Sequence, residues 1–179
     1  VQNPRKQDKL YVKRFDKHLD ELKWLYMELY DNGSMFAELC DQLYAFYEER
    51  RPDLKQMDKA REKDPNWYKK NDMLGMMIYI DNFSGNMKGF ASKLDYIEEC
   101  HVNYVHLMPF LDTVEGRSDG GYAVADFRKV RPDLGTMEDL EELTKACHKK
   151  KINVCMDFVM NHTSSDHEWA RRAKNREGE

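Results

Sequence analysis

Two short stretches carry side chains that could do chemistry. In the first, the apolar run Ile152 to Phe158 ends abruptly in Asn161, His162, Thr163 and Ser164, with Asp157 near its end. A short apolar run bounded by polar residues predicts a strand buried on both faces. Hydrogen-bonding side chains gathered at such a strand's end are where a site would sit. They read equally as a polar turn after a buried strand. The second stretch is Glu115-Gly116-Arg117-Ser118-Asp119-Gly120-Gly121-Tyr122-Ala123-Val124. Two glycines let the backbone turn tightly between an acid and an aromatic ring. A carboxylate accepts from hydroxyls, and a ring stacks on the C–H face of a pyranose, so Asp119 with Tyr122 suits a sugar. The plainer reading is an Asp-Gly turn whose tyrosine packs against the edge of the fold.

Other groupings carry less. His162, His167 and Asp157 could be imagined around a metal, but their spacing does not put both histidines on one helix face and no HExxH is present. His101, His106 and His148 are isolated and read as core-edge or surface residues. Glu115 with Asp119 is a carboxylate pair on a loop that does not fix their separation. Glu138-Asp139-Leu140-Glu141-Glu142 suits the start of a helix, and Lys149-Lys150-Lys151 its end, by the helix dipole. No nucleophilic triad and no Gly-rich phosphate loop can be picked out.

Composition bounds the function classes. The 179 residues are 41% hydrophobic and 35% charged, a globular balance with a heavily charged surface. A net charge of -4 and a pI near 5.9 argue against nucleic-acid binding through a broad basic field. No apolar run approaches the roughly 20 residues that span a bilayer, so no membrane partner is expected. The four cysteines, Cys40, Cys100, Cys147 and Cys155, are far apart with no CxxC pair, which reads as reduced thiols. Those thiols suggest a cytoplasmic location, with secretion after removal of a signal left open.

The elements that must position the two stretches follow from periodicity. Phe15, Leu19, Leu22, Tyr26 and Leu29 mark one face of a helix. Asn32-Gly33-Ser34 stops it, and Ser34 is a candidate cap for a second helix carrying Phe36, Leu39, Leu43, Phe46 and Tyr47. A third follows over about Leu54 to Lys63, and Asp64-Pro65-Asn66-Trp67-Tyr68 reads as a boundary. The pattern then changes. Met73 to Ile80, Val102 to Met108 and Ile152 to Phe158 are read as strands. Phe90, Leu94 and Ile97 lie on one helix. Thr136 opens another, with Asp139 placed for a capping box. A last helix is read near Ser165, with Trp169 and Ala173 four apart. Strand and helix alternate, which means βαβ units and a parallel sheet. The long loop Pro109 to Gly135 is the kind that carries function. Three such strands leave an unclosed sheet, so we expect the front of a longer protein.

With these residues in view, a resemblance emerges. Asp157-Phe158-Val159-Met160-Asn161-His162 resembles the first signature region of the α-amylase superfamily of glycoside hydrolases and transglycosylases. His106-Leu107-Met108-Pro109 looks like the end of that family's second barrel strand. Ser118-Asp119-Gly120-Gly121-Tyr122-Ala123-Val124 resembles its DGY-type loop in the amylosucrase variant. Asp64-Pro65-Asn66-Trp67-Tyr68 and the run from His162 to Ala170 also fit the amylosucrases. The match covers the chain from about Asp64 onward.

The resemblance implies an α/β fold: an all-helical N-terminal domain over 1–70, then over 71–179 the first three βα units of a (β/α)8 TIM barrel. It implies that Tyr122 stacks on a glucosyl ring, that Asp119 hydrogen-bonds its hydroxyls and that His162 donates to the same ring. Asp157, Phe158 and Asn161 would support that subsite. Asn161 is a calcium ligand in many amylases, but the amylosucrases do not rely on it, so no metal and no cofactor are expected. The two catalytic carboxyl groups of a retaining mechanism come from later strands of this family. They are expected beyond Glu179, and these 179 residues alone are expected to be inactive. The implied partner is sucrose or an α-glucan oligosaccharide. The alternative is a non-catalytic carbohydrate-binding or interaction protein on a degenerate barrel of the same type.

Overall fold

A computed structural model describes residues 8–177. The chain divides into two compact units, one ending at Trp67 and the other beginning at Tyr68.

The first unit holds three helices: α1 (Lys9–Tyr30), α2 (Gly33–Glu49) and α3 (Pro52–Lys63). Asp8 caps α1 by accepting from the backbone N–H groups of Leu10 and Tyr11, and also accepts from the Tyr47 hydroxyl at 2.8 Å. Tyr11 is buried against the rings of Phe15, Tyr44 and Tyr47. Asn32, not Ser34, caps α2. Its side chain accepts from the Met35 N–H, while Ser34 lies inside the helix and donates its hydroxyl to Asn32. Three members of the expected helix faces, Leu29, Leu43 and Phe46, are exposed. Pro52 opens α3 where its missing N–H costs nothing.

The second unit contains a parallel sheet, β1 (Gly75–Ile78), β2 (Tyr104–Leu107) and β5 (Asn153–Met156), in the order β1-β2-β5. Between β1 and β2 lie three short helices, α4 (Ile80–Ser84), α5 (Met87–Ser92) and α6 (Leu94–Glu99). Ile80 thus begins a helix and does not end a strand. Phe90 and Ile97, expected on one helix, fall on two, because the chain breaks at Lys93. The long loop is not structureless. It contains an antiparallel hairpin of β3 (Leu111–Thr113) and β4 (Val124–Val130). After it comes α7 (Met137–Lys149), opened by the expected capping box between Thr136 and Asp139. The chain reaches α8 (Glu168–Lys174) after β5; this helix starts later than expected and is capped by His167.

The core explains the sheet's polarity. Ile78, Val105 and Leu107 are buried among Phe90, Ile97, Leu143 and Cys147 from the helices. The other face of the sheet presents Met77, His106 and Cys155, which are paired across the three strands. Met77 is 68% exposed. The strands are therefore not buried on both faces within the described residues: helices cover one face only. Because side chains alternate along a strand, Asp157, two residues beyond Cys155 and one step past β5, falls on the uncovered face as well. The four cysteines carry free thiols.

Candidate functional site

Three parallel strands end on the same side of the sheet, and the segments leaving them carry the polar groups. Tyr79 follows β1, Pro109 follows β2, and Asp157 follows β5. Asp157 extends the ladder one step, its N–H donating to Leu107 O at 2.9 Å.

The hairpin supplies the aromatic ring. Its turn is built on three successive residues with positive φ: Asp119 at 49°, Gly120 at 66° and Gly121 at 96°. Aspartate tolerates that region better than most side chains. Gly121 has a steric requirement as well, since a Cβ there would lie 2.7 Å from the Pro109 carbonyl oxygen. Ser118 O accepts from the N–H groups of both Gly121 and Ala123, at 3.0 and 2.9 Å. These bonds aim Tyr122 back toward the strand ends. Its hydroxyl donates to Asp157 Oδ2 at 2.8 Å. That hydrogen bond, then burial, then the negative charge of Asp157 raise the Tyr122 phenol above its ordinary value. The Tyr79 hydroxyl stands close by, 3.7 Å from where a Cβ on Gly120 would be.

The segment after β5 is anchored at its far end. Ser164 N–H donates to Val124 O at 2.8 Å, and Val159 and Ser164 are buried. Between these anchors the expected site residues point outward. Asn161 and His162 are exposed and contact each other, with Asn161 Nδ2 3.1 Å from His162 Nδ1. Phe158 is partly exposed and packs on Phe127 at a centroid distance of 5.4 Å. Asp119 is exposed on its turn.

The structure thus brings Tyr122 and Asp157 into direct contact. It gives Asp119 and His162 no hydrogen bond to either. Two residues not singled out from the sequence belong to the cluster. Tyr79 is one. His106, read as isolated, is the other: its Nε2 lies 3.7 Å from Asp157 Oδ2. The signal for His106 was the strand register. It pairs with Cys155, and Asp157 is two residues further on, hence on the same face.

A separate cleft of about 550 Å³ lies between the hairpin and the start of α8, lined by Asp112, Arg117, Phe127, Asp166, His167 and Trp169 among others. None of Asp119, Tyr122, Asp157 and His162 lines it. Arg117 and Asp166 bridge it at 3.2 Å. Among the described residues no group of three or more His, Cys, Asp or Glu side chains is arranged to hold a metal ion. Nor is any helix among them long and apolar enough to cross a membrane.

The family model described as alpha amylase, catalytic domain, matches residues 9–179. A trehalose synthase/amylase of Mycolicibacterium smegmatis is 39% identical over 116 residues, 62% of this chain and 19% of that protein. The crystal structure of Bacillus licheniformis trehalose-6-phosphate hydrolase is similar with a TM-score of 0.54 at 33% identity, covering 60% of this chain and 20% of that one. A trehalulose synthase mutant, in complex with the substrate sucrose, is similar with a TM-score of 0.54 at 28% identity, covering 62% and 20%. The chain spans about a fifth of the length of these relatives.

Proposed function

Because the chain belongs to the alpha-amylase catalytic-domain family, we propose that it forms part of a retaining enzyme that hydrolyses or transfers α-glucosyl groups. Its own contribution is a glucosyl-binding subsite at the C-terminal ends of parallel strands, where α/β barrels carry their chemistry. The observation that carries this reading is the Tyr122 ring, tied by its hydroxyl to Asp157 at 2.8 Å. A ring held at its polar end presents its face without losing much rotational freedom on binding, which favours stacking on a pyranose. Asp119 would accept from sugar hydroxyls. His162 would donate to the same ring, a bond that strengthens as oxocarbenium charge develops. Phe158 shapes the wall, and Asn161 supports His162. Asp119 and His162 are exposed, so they are free to turn toward a sugar.

These 179 residues are assigned no nucleophile and no general acid. In this reading they comprise a helical N-terminal domain over 1–70 and the first three βα units of a (β/α)8 barrel over 71–179. Sucrose and α-glucans are the proposed substrates, with the amylosucrases as the subfamily that the Ser118 to Val124 loop favours. Relatives that are trehalose synthases, or that were crystallised with sucrose, support the broader α-glucoside class.

The test is a substrate panel on the full natural protein. Sucrose, trehalose and maltooligosaccharides are supplied, and the anomeric configuration of each product is followed by NMR. The expected result is glucosyl release or transfer with retained α configuration, with sucrose consumed. Inversion would contradict the mechanism. Binding without turnover of any sugar would favour a carbohydrate-binding protein on a degenerate barrel.

A further inference from the structure

His106 sits in β2 on the uncovered face of the sheet. Its Nε2 is buried and, among the described residues, has no hydrogen-bond partner. A buried polar nitrogen without a partner is costly, and such groups cluster where function requires them. The nearest anionic oxygen is Asp157 Oδ2 at 3.7 Å, beyond hydrogen-bond range but well within electrostatic reach. The same oxygen accepts from Tyr122.

The contact with Asp157 favours the ring tautomer that carries its proton on Nε2. A bare Nε2 would set its lone pair against a carboxylate oxygen, which repels it. A protonated Nε2 turns that contact into an attraction. Hydrogen bonds within sites are often long before the ligand binds and shorten in the complex. We infer that His106 is a positioning residue: its Nε2–H closes onto Asp157 Oδ2 when a glucosyl ring engages, holding the carboxylate that in turn holds Tyr122. This rests on the glucosyl-site reading above. Oδ2 then serves two donors from the protein. Oδ1, which has no protein partner among the described residues, stays available to a hydroxyl.

The test compares two substitutions in the full natural protein. His106→Gln carries its amide nitrogen about as far along the side chain as Nε2, whereas His106→Asn stops at the position of Nδ1. A merely structural need for a polar group would treat them alike. With sucrose and maltose as probes, His106→Gln is expected to stay within about threefold of the parent in affinity, while His106→Asn weakens it about tenfold, the loss of a hydrogen bond to a charged group. In turnover the loss should fall on KM more than on kcat. With maltose bound, the Tyr122 phenol, held up by Asp157, should move down in His106→Asn and stay in place in His106→Gln. Equal behaviour of the two variants in these readouts overturns the inference. Should the parent bind no sugar at all, the proposed function fails and this inference fails with it; should the parent bind sugar and the two variants behave alike, only the inference fails. The unsubstituted protein gives a further check through ring ¹⁵N shifts: a protonated Nε2 is expected, and an unprotonated one overturns the inference.

Discussion

The hydroxyl of Tyr122 donates a 2.8 Å hydrogen bond to Oδ2 of Asp157, joining positions 35 residues apart. One partner sits on the hairpin after β2, the other on the step that extends β5. A single bond therefore couples the aromatic face of the proposed subsite to the end of the parallel sheet.

The Tyr122 phenol is raised above its ordinary value of 10.0 by the hydrogen bond to Asp157, then by burial, then by the charge of that carboxylate. A raised phenol adds stability that is fully present below the unfolded value and is lost as pH climbs through the folded one. Stability should therefore decline in the alkaline range above about 10. Tyrosinate absorbance, taken as the difference between the protein and its Tyr122→Phe form, measures the phenol. In Asp157→Asn it should titrate at lower pH. An unchanged titration would mean that the bond does not persist in solution.

Gly121 positions the ring. Its φ of 96° and the 2.7 Å approach of a would-be Cβ to Pro109 O leave no room for a side chain. Gly121→Ala should cost about 1–3 kcal/mol of stability, the range for a strained backbone position. Denaturant titration should show the loss, and α-glucoside affinity should fall with it. A variant as stable as the parent would mean that the turn can rearrange.

The thiols should separate by reactivity. Burial pushes the Cys147 thiol up to about 11, whereas Cys100 is exposed. Brief alkylation at neutral pH, read by mass spectrometry, should label Cys100 and leave Cys147 untouched until the protein unfolds. Simultaneous labelling of both would contradict the packing of α7 on the sheet.

The capping box is testable by a single atom group. Thr136 Oγ1 accepts from the Asp139 N–H at 3.2 Å, and Asp139 Oδ2 accepts from the Thr136 N–H at 3.0 Å. Thr136→Ala should destabilise the protein by about 1 kcal/mol. The Thr136 N–H, with smaller help from Lys88, outweighs burial and holds the Asp139 carboxyl below the usual range. Its contribution is therefore present above the unfolded carboxylate value and lost as pH falls. An unchanged thermal midpoint in Thr136→Ala would contradict this.

Much of the architecture was legible because it rests on local rules. The alternation of apolar runs and helical spacing gave the parallel sheet, and Thr136 with Asp139 announced the start of α7. What was not legible depends on distant partners. The strands looked buried on both faces because Met76, Met77 and Ile78 are all apolar, yet only one face meets helices. The β3–β4 hairpin was hidden because its register is irregular, shifting twice between Leu111 and Thr113. At the site, the Asp-Gly-Gly-Tyr turn was visible from its residue types. The role of His106 was not, since it follows from the pairing of β2 with β5.

The central claim is that Tyr122 carries a glucosyl ring. The most direct measurement is calorimetric titration of the full natural protein and its Tyr122→Ala form with sucrose, maltose and trehalose. We predict that removing the ring weakens binding by about tenfold or more, from lost stacking and buried area together. Equal affinity in the two forms would contradict the account.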